Sequence, residues 1–118
     1  MMTLDYILNA GLAGRECISF KINSADSLGR YVILLTEETT PGFVSTKIKL
    51  TYWFQDQAVS IGDTIYLYTG FGLNGVLPNT DGTKTYFFYW GQPSTLFNTP
   101  NTSVVLMHAD EWKYKKVG

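Results

Sequence analysis

Sulfur, histidine and net charge are all scarce in this chain. Cys17 is the only cysteine among 118 residues, so no disulfide can close within the chain and no cysteine pair can hold zinc. No basic cluster flanks it to favour a thiolate, so Cys17 reads as a small buried hydrophobe. His108 is the only histidine, and a metal site or a Ser/His/Asp triad would have to rest on it alone. Charged residues make up 16% of the chain with a net charge of −1. That balance supplies no bulk attraction to phosphate, so nucleic acid is a disfavoured partner. No apolar run approaches the length of a membrane-crossing helix. The opening "MMTLDYILNAGLAG" has no basic start, and Asp5 and Asn9 interrupt its apolar stretch, which is not the pattern of a secretion signal. The chain therefore reads as soluble and leaderless, and a fragment of a larger protein would read the same way.

What is abundant is apolar and aromatic. Hydrophobic residues account for 45% and aromatic ones for 15%, enough for a folded chain with one core. Residues 1–118 are expected to form a single domain. "TLDYILNA" (3–10) carries Leu4, Ile7 and Leu8 at helical spacing, with Thr3 as a cap and Gly11 as a stop. A short N-terminal helix is expected, with an extended strand as the rival.

After that the signals are β. "CISFKIN" (17–23) sets Ile18, Phe20 and Ile22 on one face against Cys17, Ser19 and Lys21 on the other. "ADSLG" (25–29) reads as a turn. "RYVILLTE" (30–37) is apolar nearly throughout, as in a strand covered on both faces. "FVSTKIKLTYWF" (43–54) alternates again. "SIGD" (60–63) is a tight turn before "TIYLYT" (64–69), with Gly62 expected at positive φ. A Gly/Asn-rich loop (70–82) precedes the aromatic strand 83–90, and a turn-rich crossing (91–101) precedes strands at 102–109 and 111–117. The lysines of the last segment suit a protected edge. Short strands with regular turns and almost no helix describe an all-β antiparallel sandwich or barrel.

Several patterns that carry chemistry elsewhere are formally present. "GFGLNG" spells GxGxxG at Gly70, Gly72 and Gly75, but "VLPNTDG" follows it where a dinucleotide site needs a helix. Ser103 lies five residues from His108, so strand alternation points the two apart. "NTDG" (79–82) offers oxygen atoms without the spacing of a calcium loop and reads as a turn. "NTS" (101–103) is a formal glycosylation sequon. No catalytic residue, metal ligand or cofactor-binding residue is assigned.

The aromatics form three clusters. In strand 83–90, Tyr86, Phe88 and Trp90 share one face, and Phe87 and Tyr89 the other. Phe88 and Trp90 are expected in the core, because burying both faces would strand tyrosine hydroxyls at ~1–3 kcal/mol each. Tyr52, Trp53, Tyr89 and Trp112 are the candidate stacking rings for a sugar ligand.

From Val59 onward the order of short motifs is similar to that of the lamin-tail domain. The chain reads "VSIGDTIYLYTGFGLN" and then "YWGQPSTLFNTPNTSVVLMHADEW". The positions that match are Gly62-Asp63, Tyr68-Thr69-Gly70 with Gly72, Tyr89-Trp90-Gly91, Asn98 and Val104-Val105-Leu106, and "GRYVILLTE" resembles an earlier strand of the family. Phe97 stands where the family has tryptophan, Pro100-Asn101 replace a Gly-Asp pair, and "KIKLTYWF" occupies the region of the family's L-x-G-W. The resemblance covers roughly residues 29–111. It implies an immunoglobulin-like antiparallel β-sandwich without a catalytic centre or cofactor. The function it implies is that of a noncatalytic binding or structural accessory module, with protein as the first expected partner. A carbohydrate-binding module is the second reading, and a small hydrolase the third.

Overall fold

The computed structural model describes all 118 residues. Strand β1 (Met2–Leu8) occupies the stretch whose spacing suggested a helix, and no helix forms there. β1 pairs antiparallel with β2 (Cys17–Ile22), and the register shifts between Leu4 and Tyr6. That bulge explains the misleading pattern. Leu4 lies opposite Phe20 and Ile7 opposite Ile18, so two residues three apart share one face of a strand. One inserted residue turns a period of two into an apparent helical spacing.

The chain continues through β3 (Asp26–Ser27) and a 3-10 turn at Leu28–Arg30 into the long strand β4 (Tyr31–Thr40). The single strand expected over 43–54 is two: β5 (Phe43–Val44) and β6 (Leu50–Trp53), both paired with β4. Between them the backbone leaves the ladder, and the buried Thr36 hydroxyl donates to the Ser45 carbonyl at 2.7 Å. Then come β7 (Ala58–Val59), β8 (Thr64–Tyr68), β9 (Gly75–Pro78), β10 (Lys84–Tyr89) and β11 (Thr102–His108). Residues 111–117, expected as a last strand, form none.

Two larger sheets result. One has the order β1-β2-β8-β10-β9; in the other, β4 lies between β11 and β6 and also pairs with β5. β3 and β7 form a small third sheet. The arrangement is not wholly antiparallel, because β10 runs parallel to β8. Parallel neighbours need a crossover rather than a hairpin. The 69–83 stretch provides it by laying β9 antiparallel along the outer side of β10. The loop expected over 70–82 is exposed as foreseen, yet it contains the edge strand of the sheet.

The two larger sheets share one core. Its buried residues include Ile18, Phe20, Ile65, Leu67, Tyr86 and Phe88 from the first sheet and Tyr31, Ile33 and Leu35 from the second. Outward residues of β4, Val32 and Leu34, are half-covered, so that strand is only partly shielded on its second face. Cys17 and Ser19 are buried on the side of β2 away from the core. There they register with Tyr68 and Tyr66.

The turn before β8 forms as its sequence requires. Gly62 has φ +88°, and the buried Asp63 carboxylate accepts from the Ser60 N–H and the Lys84 N–H, both at 2.9 Å. A Cβ on Gly62 would come within 2.8 Å of the Thr83 methyl. Gly62→Ala is therefore expected to cost ~2 kcal/mol, from backbone strain and this clash together. A urea titration showing an unchanged midpoint would contradict that account of the turn.

Candidate functional site

The four rings proposed to stack on a ligand do not form one surface. Tyr52 is half-buried and packs edge-on against Phe54 at 5.0 Å and Trp90 at 5.9 Å. Burial pushes its phenol up from the ordinary value, and the ring belongs to the core margin. Tyr89 lies on the outer face of the other sheet, stacked on Tyr68 at 5.3 Å and 17°. Gly72 backs against the Tyr89 ring so closely that a Cβ there would meet it at 2.3 Å. Tyr89 thus packs against both Tyr68 and the Gly72 backbone. Tyr66 and Phe87 repeat the pattern at 5.8 Å and 22°. These pairs are cross-strand neighbours on the parallel β8–β10 ladder, which cover the sheet and stabilise it by side-chain packing.

Trp53 and Trp112 do come together. Trp53 ends β6 on the outer face of the second sheet, in register with Val32. Its indole N–H donates to the Gly29 carbonyl at 2.8 Å, which fixes the ring while leaving it 52% exposed. Trp112 belongs to the segment after β11, is 56% exposed, and meets Trp53 at 5.0 Å with the planes at 90°. Tyr114 lies 6.3 Å beyond Trp112. Trp53, Trp112, Phe54, Gly29, Gln55 and Asp56 line an open pocket of about 340 Å³. The Gln55 and Asp56 side chains are exposed, and no hydrogen bond or ion pair within the chain engages either of them. Those two polar residues were not singled out in the sequence. Their only signal there is that they end the aromatic run Tyr52-Trp53-Phe54.

A second constellation left no trace in the sequence. Glu16 is 1% exposed and accepts four hydrogen bonds. One carboxylate oxygen takes the Thr69 hydroxyl and the Leu96 N–H, each at 2.7 Å, and the other takes the Gly11 N–H at 2.7 Å and the Phe97 N–H at 3.0 Å. Burial alone would raise its pKa. The donors from Leu96, Gly11, Thr69 and Phe97 outweigh burial and hold the carboxyl below its ordinary value. All four donors belong to protein segments, so the site ties the 91–101 crossing to the β1–β2 turn.

The other candidate chemistry is dispersed. The His108 ring stacks on Tyr31 at 4.6 Å and 10°, with Nε2 3.3 Å from Asp110. Ser103 turns its hydroxyl to the Asn101 carbonyl at 3.0 Å. Tyr31 in turn donates to Asp26 at 2.6 Å and accepts from the Met2 N–H, and its phenol is pushed up to about 12 by burial first and Asp26 second. Asp81 uses its carboxylate within the 79–83 turn, accepting from the Thr83 N–H and hydroxyl. Gly75 opens β9 rather than a helix. Cys17 is buried, and burial pushes its thiol up. No three His, Cys, Asp or Glu side chains converge. No helix is long and apolar enough to cross a membrane.

These elements define an all-β protein whose two larger sheets contribute to a common core, with an exposed pair of tryptophans beside the end of β6. Its sequence matches no family model, and neither a curated protein nor a solved structure is significantly similar to it.

Proposed function

We propose that this chain is a noncatalytic binding module of lamin-tail type, an immunoglobulin-like sandwich, that docks a protein partner at the Trp53–Trp112 corner. The observation that carries the reading is the state of Trp53. Its ring is held by the Gly29 carbonyl and still half open to solvent. An aromatic anchor fixed before binding loses little conformational entropy when a partner covers it, and tryptophan is enriched among residues that dominate binding energy. The lamin-tail assignment rests on the order of turn and strand motifs from Gly62 to Leu106.

Carbohydrate is the second reading. Gln55 and Asp56 line the same pocket as Trp53 and Trp112, and polar groups among aromatic ones also suit a sugar ring.

The test is affinity capture and a glycan array run with the same three proteins. The wild-type chain is expected to retain a defined protein that Trp112→Ala loses. His108→Ala is expected to retain it, since that ring packs on Tyr31, and in the ladder Tyr31 alternates with Val32, the register partner of Trp53. A glycan signal lost with Trp112→Ala would favour the second reading. Hydrolysis of a substrate abolished by His108→Ala would overturn the noncatalytic assignment.

A further inference from the structure

Of the outer edges of the two larger sheets, only that of β11 is unprotected. β1 carries a bulge between Leu4 and Tyr6. β9 ends in Pro78, which has no N–H to offer. On the far side of β4, β5 and β6 are two and four residues long. A bulge, a proline and short length each discourage an added strand. β11 has none of these. It runs seven residues, pairs with β4 in unbroken register, and contains no proline, aspartate, glutamate, lysine or arginine. Its backbone phase is fixed at both ends, because the Ala109 N–H donates to the Arg30 carbonyl and the Glu38 N–H to the Asn101 carbonyl. Residues 103, 105 and 107 therefore exchange bonds with β4, and Val104, Leu106 and His108 point N–H and C=O the other way. No strand lies there. The segment after β11 turns over the outer face toward β6, where Trp112 meets Trp53.

The core is open along the same side. β6 lies over β10, since Tyr52 packs on Trp90 and Phe54 on Phe88, and the Tyr31 hydroxyl of β4 reaches the Met2 N–H of β1. β11 lies across β4 from β6, on the β1 side. The Leu96 and Phe97 bonds to Glu16 hold the approach to β11 near the β1–β2 turn as well. Leu4 and Ile7 face the core side of β1, opposite Phe20 and Ile18. Phe20 and Ile18 are fully buried, while Leu4 and Ile7 are each 41% exposed. Cover from the second sheet thus ends between β2 and β1, with Val104 and Leu106 of β11 packed on the core but only half-buried.

From this open margin we infer that β11 accepts one extended peptide segment of a partner protein as an added strand. A row of N–H and C=O groups at every second residue is matched by the backbone of another strand. Residues of that strand that bond Val104 and Leu106 place their side chains on the core side, toward Leu4 and Ile7, so apolar residues belong there. The residues between them face outward and are free to be polar. A second copy of this chain fits less well. Pairing β11 with itself about a two-fold axis would drive the two copies of β1 together, since each extends past its own β11. A single strand fills the gap without that collision. This surface is on the core side of the second sheet, whereas Trp53 and Trp112 stand on its outer face.

The experiment adds a short peptide to the full chain and follows backbone amide exchange residue by residue. The peptide alternates valine with N-methylalanine and carries lysine at both ends, so it has one bonding edge and cannot stack on itself. The amides of Val104, Leu106 and His108 are expected to exchange about tenfold more slowly, while those of Val105 and Met107, already bonded to β4, change little. The isomer with its methyl groups on the valine nitrogens should give no protection, because its free N–H groups belong to alanines. Val104→Pro removes an outward N–H and no bond to β4, and should weaken binding on the order of tenfold. If that variant loses its fold, Ile7→Lys tests the same surface, with binding weaker by about fivefold. Equal protection by the two isomers would overturn the added strand and leave an apolar surface. No slowing at about 1 mM peptide would overturn it too. Light scattering that shows a dimer without peptide, dissociated by Val104→Pro, would overturn the choice of occupant in favour of a second copy.

Discussion

Replacing Glu16 with alanine is expected to lower the unfolding free energy by ~3–5 kcal/mol, a large part of the ~5–15 kcal/mol typical of a domain. The substitution leaves the Leu96, Gly11 and Phe97 N–H groups and the Thr69 hydroxyl without their acceptor. Each unmet buried donor costs ~1–3 kcal/mol, reduced where water enters or, at Thr69, where the hydroxyl turns. Glu16→Gln separates hydrogen bonding from shape. An amide has one acceptor oxygen, and its NH₂ must face one pair of donors. The least costly choice places it toward Thr69, which can rotate and accept, and sacrifices the Leu96 contact. A loss of ~2 kcal/mol is expected for Gln. Urea titration at neutral pH checks the order Ala, Gln, wild type, and a Gln variant as stable as wild type would show that charge and acceptor count at Glu16 do not matter.

The acid side of the stability curve carries the same information. The folded pKa of Glu16 lies below its unfolded value of about 4.5. Its contribution is therefore present above the unfolded value and lost as the pH falls through the lowered folded value. The gap between wild type and Glu16→Gln should narrow on acidification from neutral pH. Asp26 has a lowered value too, so both proteins keep a residual slope in the same direction.

Glu16 also marks where the sequence stops being informative. Its donors lie five, 53, 80 and 81 residues away, and no local pattern encodes such a meeting. Local patterns do encode turns. Gly62-Asp63 is legible as a turn because the positive φ and the bond from the Ser60 N–H act within a few residues, whereas the second bond, from Lys84, spans 21 residues and leaves no local pattern. The bulge in β1 shows how a local pattern misleads, since Leu4 and Ile7 fit a helix until the pairing with β2 is known. The parallel β8–β10 pair escapes for a different reason: strand direction depends on where β9 is laid, which alternation does not specify. At the site, the sequence supplies Trp53 and Trp112 as candidates. It places Tyr52 and Tyr89 beside them because aromatic character says nothing about which ring faces are already covered.

Trp90→Ala is expected to cost ~3–5 kcal/mol and to leave little folded protein at ambient temperature. Trp90 is 9% exposed and follows β10 at the inner margin of the first sheet. Its N–H donates to the Tyr68 carbonyl at 2.8 Å, while its indole N–H reaches the Thr51 carbonyl of β6 at 3.2 Å. One residue thus links the two sheets through packing and a hydrogen bond. Alanine keeps the backbone contact, but it removes the ring against Tyr52 and opens a cavity that Tyr52 and Phe54 cannot both collapse into. Trp90→Phe should recover more than half of the loss, because it fills most of the volume and forfeits only the bond to Thr51. Phe87→Ala, two places from Tyr89 on the outer face, is the control. That ring is half-covered and packs on Tyr66 alone among the aromatic pairs, so ~1 kcal/mol is expected. Urea midpoints in the order Phe87→Ala, Trp90→Phe, Trp90→Ala, from least to most destabilised, would fit an aromatic run that is one core face and one sheet cover. A folded, near-native Trp90→Ala that had lost its ligand would mean that the run is itself the binding surface, and the Trp53–Trp112 corner would lose its claim.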